Sequence, residues 1–151
     1  MKSMGFRCWK DRFAFVVLEG PRERPILVAS KIRKAPSYSQ RGEFLAWVRT
    51  SIGEVLDAYE PDTVAYKAVE GTSRTKDMER GQVEGVMQEA VSSHGMNLEA
   101  RSRLKSQIKR AVGFGGPARY VNKALPAAGL AQLDTDTFRD AALAALCRLA
   151  E

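Results

Sequence analysis

The sequence predicts one α/β domain over residues 1–151, built as a mixed five-stranded sheet flanked by helices. Three observations point there. The first third of the chain holds three short β-rich segments joined by tight connections. Residues 40–61 then switch to helical spacing, and residues 62–69 form a near-continuous apolar run of the kind that is buried on both faces of a sheet.

Taken in order, "MGFRCWK" (4–10) and "RFAFVVLEG" (12–20) read as a hairpin, the second strand ending at Gly20-Pro21. "RPILVASKIRK" (24–34) alternates and is closed by Ala35-Pro36, giving three antiparallel strands in succession. In "QRGEFLAWVRTSIGEVLDAYEP", the residues Phe44, Leu45, Trp47, Val48, Ile52, Val55, Leu56 and Tyr59 recur at helical spacing, and Pro61 blocks continuation. "DTVAYKAV" is the fourth strand, with the cation Lys67 near its end, where enzymes of this architecture commonly carry a carboxylate. A polar loop leads to a second helix, "RGQVEGVMQEAVSSHG", with Val83, Val86, Met87, Ala90 and Val91 on its apolar face and Gly95 as its stop. "MNLEARS" reads as a short fifth strand and "RLKSQIKRAV" as a brief basic helix. "GFGG" is a hinge or tight turn, and Pro117 opens a further helix in "PARYVNKALPAAG". "DTDTFRDAALAALCRLAE" is the terminal helix, capped by Asp134, Asp136 or Thr137, with Ala141, Leu143, Ala144, Leu146 and Cys147 as its apolar face.

Composition narrows the function classes. With 44% hydrophobic and 28% charged residues in 151, the chain is long enough to bury a core. No apolar run reaches the ~20 residues that span a bilayer, so no membrane partner is expected. The charged N-terminus "MKSMGFRCWKDRF" lacks the apolar stretch of a signal peptide, which points to a cytoplasmic location. Cys8 and Cys147 lack metal-ligand spacing and sit in apolar patterns as buried thiols; His94 is the sole histidine and builds neither a metal site nor a triad. The net charge of +6 favours a polyanion partner where the cations cluster, and the densest run is "RSRLKSQIKR" (101–110).

Five pieces in order resemble the RuvC-type Holliday-junction resolvases of the ribonuclease H-like superfamily, over residues 5–149. They are "GFRCWKDRFAFVVLEG", "YEPDTVAYKAV", the Gly-Gln-x-x-Gly helix "RGQVEGVMQEAVSSHGMNL", "IKRAVGFGGPARYVNKAL" and "TFRDAALAALC". The resemblance implies a ribonuclease H-like fold, a homodimer and a place in DNA recombination. It also implies a nuclease in which four carboxylates hold two magnesium ions. The positions of those acids fall on Arg7, Lys67, Thr137 and Asp140, so only Asp140 keeps the acid.

That substitution inverts the charge. Four acids give −4 against the +4 of two magnesium ions, whereas Arg7, Lys67 and Asp140 together give +1. Magnesium needs carboxylates to hold it, and like unit charges at ~4 Å repel by roughly 4 kcal/mol at an effective dielectric of 20. The expectation is therefore a site with no metal, no cofactor and no catalytic residues, in which Arg7 or Lys67 pairs with Asp140. A relocated metal site using Glu70, Asp136 and Asp140 is the competing arrangement, with Asp11 and Asp134 also near.

Three functions follow. The first is a non-cleaving RuvC-like protein that binds branched or duplex DNA through Arg7, Lys67, Arg101, Arg103, Lys105, Lys109, Arg110, Arg119 and Lys123. Phe114 stacks on a base, and the resemblance places Lys109 and Arg119 where the family contacts junctions. The second is a protein-interaction or scaffolding subunit in a DNA-processing complex, using Trp9, Tyr38, Trp47 or Tyr120, although Trp47 fits the core stripe of its helix. The third is an active magnesium-dependent endonuclease with displaced acids.

Overall fold

The structure, a computed structural model, describes residues 1–68, 78–95, 98–103, 105–111 and 123–149. Strands β1 (Lys2–Cys8), β2 (Arg12–Glu19) and β3 (Ile26–Lys34) form an antiparallel meander. They are followed by α1 (Arg41–Tyr59), β4 (Thr63–Tyr66), α2 (Met78–Ser93), β5 (Ala100–Ser102), α3 (Lys105–Ala111) and α4 (Ala124–Ala127). A 3-10 turn at Ala131–Leu133 precedes α5 (Arg139–Leu149). The sheet order is β3-β2-β1-β4-β5, with β4 and β5 added in parallel to β1. This is the mixed five-stranded sheet flanked by helices that the sequence predicts.

The period of two along β1 and β2 divides the core into two layers. Met4, Phe6, Cys8, Phe13, Phe15 and Val17 point one way, into a cluster with Phe44, Val48, Ile52 and Val55 of α1 and Val83, Met87 and Val91 of α2. Val16 and Leu18 point the other way and pack with Ile108, Leu125, Leu133 and the apolar residues of α5. All four residues of β4 are buried, as its continuous apolar run requires. Glu60 ends α1 in a left-handed conformation (φ 45°), its N–H donating to the Leu56 carbonyl, and Pro61 prevents a further turn.

The α5 layer lies unusually close to β1. A Cβ on Gly5 would collide with the Ala141 carbonyl and stand 2.7 Å from the Ala145 nitrogen. Two residues earlier, the buried Ser3 hydroxyl donates to the Ala145 carbonyl at 2.8 Å. The alanines of α5 allow this approach on every side of the helix. Ala141, Ala142, Ala144 and Ala145 are all fully buried, so the single apolar face expected from the sequence becomes a helix enclosed nearly all round. Arg148 keeps its polar end by donating to the Thr63 hydroxyl at 2.6 Å.

Several local expectations change. Thr135, rather than Asp134, Asp136 or Thr137, caps α5: its Oγ1 accepts from the Phe138 N–H at 3.2 Å and its carbonyl from the Arg139 N–H at 2.9 Å. The two aspartates are drawn instead to the Arg139 guanidinium. The fourth strand stops at Tyr66, and Lys67 follows it. Residues 117–122 of the helix expected after "GFGG", Pro117 and Tyr120 among them, lie outside the described residues, and the rest of that segment is helical only over Ala124–Ala127. Cys8 and Cys147 are buried thiols that form no disulfide.

Gly5→Ala should cost about 3 kcal/mol or more of stability, because α5 must lift off β1 to admit one methyl. Thermal or urea unfolding measures this, and a change below about 1 kcal/mol would contradict the described packing.

Candidate functional site

The register of the parallel pair sets the site. Phe6 stands opposite Tyr66, so Arg7 and Lys67 emerge side by side at the carboxyl ends of β1 and β4. Arg7 lies on the same face of β1 as Gly5, toward α5. The close seat of α5 brings Asp140, in its first turn, over both cations. Arg7 Nη1 is 2.7 Å from Asp140 Oδ2, and Lys67 Nζ is 3.7 Å from the same oxygen. Each side chain is about one-fifth exposed, at 18%, 19% and 24% for Arg7, Lys67 and Asp140.

Behind the triad stands a pair that periodicity did not single out. Arg80 Nη2 donates to the Lys67 carbonyl at 3.1 Å, and its Nε donates to Glu84 Oε1 at 3.1 Å. Glu84 is buried. The signal was present: Arg80, Glu84, Met87 and Val91 follow one helical stripe, and an acid inside an apolar stripe calls for a buried partner. Burial and, next, the charge of Arg80 pull the Arg7 guanidinium below its usual value, against the opposing pull of Asp140 and Glu84. Burial, reinforced by Glu84, pushes the Cys8 thiol up to about 12. The same two causes raise the Tyr66 phenol, while a hydrogen bond with Ser102 opposes them.

Three cations and two carboxylates leave the cluster one positive charge in excess. The two magnesium ions that the resemblance implies do not fit such a centre. Both cations already face one oxygen of Asp140, and an arriving divalent ion would meet an ammonium and a guanidinium where it needs oxygen ligands. Among the described residues, no three His, Cys, Asp or Glu side chains gather to hold a metal. Of the acids considered for a relocated site, Asp136 pairs with Arg139 and Asp11 with Arg12, while Glu70 lies outside the described residues. Thr137 is uncharged and sits half-exposed in the turn before α5, not on the helix.

The basic residues expected along the chain divide by position. The Arg103 N–H donates to the Tyr66 carbonyl at 2.8 Å, which sets Arg103 beside the end of β4. Arg101, Arg103 and Arg110, with Gln107, line a cavity of about 720 Å³ between β5 and α3. Lys109 is half-buried in the last turn of α3, and Lys123 is exposed immediately before α4. The backbone of Lys105 opens α3. Phe114 and Arg119 lie outside the described residues. Of the aromatics, Trp9 carries the Arg7 and Arg12 guanidinium groups at 5.2 and 4.8 Å from its ring centre. Trp47 is half-buried against Phe13 and Phe44. No helix among the described residues is long and apolar enough to cross a membrane.

An antiparallel meander, two parallel strands added beside its first strand, and helices on both faces define the ribonuclease H-like fold in its RuvC form. Solved structures agree. Thermus thermophilus RuvC matches with a TM-score of 0.80 at 18% identity, covering 99% of this chain and 94% of that one. The same protein in complex with Holliday junction substrate matches at 0.77, with the same identity and coverage. The yeast mitochondrial Holliday junction resolvase matches at 0.68 with 11% identity, over 97% of this chain and 77% of its own. No protein-family model and no curated protein matches the sequence.

Asp140→Ala leaves Arg7 and Lys67 facing each other with no carboxylate between them. It should lower stability by about 2 kcal/mol, and adding Lys67→Ala should restore part of that loss. Urea unfolding of the single and double variants checks this; purely additive losses would contradict the coupling.

Proposed function

We propose that the chain binds nucleic acid, with branched or duplex DNA as the ligand, through a metal-free basic centre and does not cleave it. The observation that carries this reading is the convergence of Arg7 and Lys67 on one oxygen of Asp140 at the carboxyl ends of two adjacent parallel strands. A phosphodiester is a monoanion with oxygens at hydrogen-bonding spacing. A guanidinium and an ammonium with one shared counter-ion accept it without a bridging metal. Asp140 holds both cations in place while no ligand is present and leaves one positive charge for the phosphate.

The cavity between β5 and α3 supports the same reading. Its three arginines outweigh Glu99, which lines the same cavity and pairs with Arg101 at 3.9 Å, so the wall past the end of β4 stays positive and suits a second length of backbone. The comparison adds chemistry of the same class, since Thermus thermophilus RuvC has been solved with a Holliday junction. Cleavage by two metal ions is not expected, because Arg7 and Lys67 put cations at the strand ends where such ions need carboxylate ligands.

Fluorescence anisotropy with a labelled four-way junction and a duplex of equal length tests the reading. Affinity should fall by about 10³ between 50 and 200 mM salt if six or more phosphates are engaged, and should be the same in magnesium and in EDTA. Lys67→Gln should flatten the salt dependence by about one charge. Absence of binding at low salt, or magnesium-dependent cleavage lost in Asp140→Asn, would overturn the proposal.

A further inference from the structure

A second cavity opens at the same end of the sheet, at the ends of β2 and β3 beside the strand that carries Arg7. It measures about 510 Å³ and is lined by Asp11, Arg12, Lys34, Pro36, Ser37 and Tyr38. Its two cations come from facing strands: Arg12 on β2 stands directly opposite Lys34 on β3, so both side chains leave the same face of the sheet. Lys34 is exposed, while Arg12 is half-buried, anchored by Asp11 at 3.0 Å and lying over Trp9 at 4.8 Å. Tyr38 is 42% exposed and its ring packs on Phe44 with centres 5.1 Å apart. Phe44 is itself fully buried, stacked on Trp47 and covered by the Arg41 guanidinium. The Tyr38 ring is thus a partly open aromatic surface on a rigid base, beside a cation pair that Asp11 only half neutralises.

We infer that this cavity takes an unpaired nucleotide of the strand that the central cations engage, with Lys34 and Arg12 on its phosphate and Tyr38 stacked against its base. The inference rests on the nucleic-acid reading above and adds the form of the ligand. Three features support it. The volume falls in the range of sites that enclose a small molecule. From β1 to β3 is about 10 Å at ~4.8 Å per strand, which a strand rising ~3.4 Å per nucleotide covers in three steps. An aromatic ring in a cavity reaches a base only when that base has left its stack, and such stacking does not depend on which base it is. The expected preference is therefore for DNA that carries unpaired nucleotides, without regard to their sequence.

Anisotropy with the full chain separates the possibilities, using a labelled junction with a short unpaired stretch and a fully paired duplex as probes. Tyr38→Ala should weaken binding to the first probe by about tenfold and leave the duplex unchanged, while Tyr38→Phe keeps the affinity. Lys34→Gln, on an exposed side chain that leaves the core intact, should reduce the salt dependence for the unpaired probe by about one charge. Equal effects of Tyr38→Ala on both probes, or no effect of either Tyr38→Ala or Lys34→Gln, would overturn the inference and leave the central reading standing. Failure of the unaltered chain to bind either probe would remove both.

Discussion

The contact on which the rest depends is the seat of α5 against β1. A strand residue without a side chain, Gly5, lets the helix backbone come within reach of the strand, and the Ser3 hydroxyl fastens it there. Four small alanines on α5 let neighbouring layers follow without leaving voids. This packing buries the helix, and it also fixes the height of its first turn above the carboxyl end of β1. Asp140 reaches Arg7 at 2.7 Å because of it. A bulkier residue at position 5 would move the helix and with it the only carboxylate that faces Arg7 and Lys67 at hydrogen-bonding or ion-pair distance among the described residues.

Around that contact the electrostatics are arranged in two tiers. The front tier, Arg7, Lys67 and Asp140, is partly exposed and carries an excess of one positive charge. The rear tier, Arg80 and Glu84, is more deeply enclosed and neutral as a pair, and its arginine holds the Lys67 carbonyl. A buried acid beside two cations would ordinarily draw them inward. With Glu84 already satisfied by Arg80, Arg7 and Lys67 are left to Asp140 and to whatever anion arrives from solvent. The neutral thiol of Cys8 and the phenol of Tyr66 add no charge to this rear tier at physiological pH.

Much of this was legible in the sequence because the elements obey their own periods. The third strand alternates, the second is a β-branched and aromatic run ended by Gly20-Pro21, α1 carries a clean stripe from Phe44 to Tyr59, and the apolar run before Lys67 marks the central parallel strand. The pairing of Asp140 with cations at positions 7 and 67 could be anticipated once the order of pieces suggested which strand ends meet. Three features were not legible. The cap at Thr135 competes with three equally suitable neighbours, and only the ion pairs of Asp134 and Asp136 with Arg139 decide it. The enclosure of α5 on all sides depends on α3 and α4 crossing it, which no local pattern reports. Arg80 and Glu84 look like an ordinary surface pair at i, i+4 until the stripe they share with Met87 and Val91 is seen to face inward.

We propose that the Arg7–Lys67–Asp140 centre excludes divalent metal ions through the identity of its side chains and not through its shape. Calorimetric titration of magnesium into the unaltered chain and into the triple variant Arg7→Asp, Lys67→Glu, Thr137→Asp tests it most directly. The account predicts no measurable heat of binding to the first and saturable binding to the second. Saturable magnesium binding by the unaltered chain, or none by a folded triple variant, would contradict it.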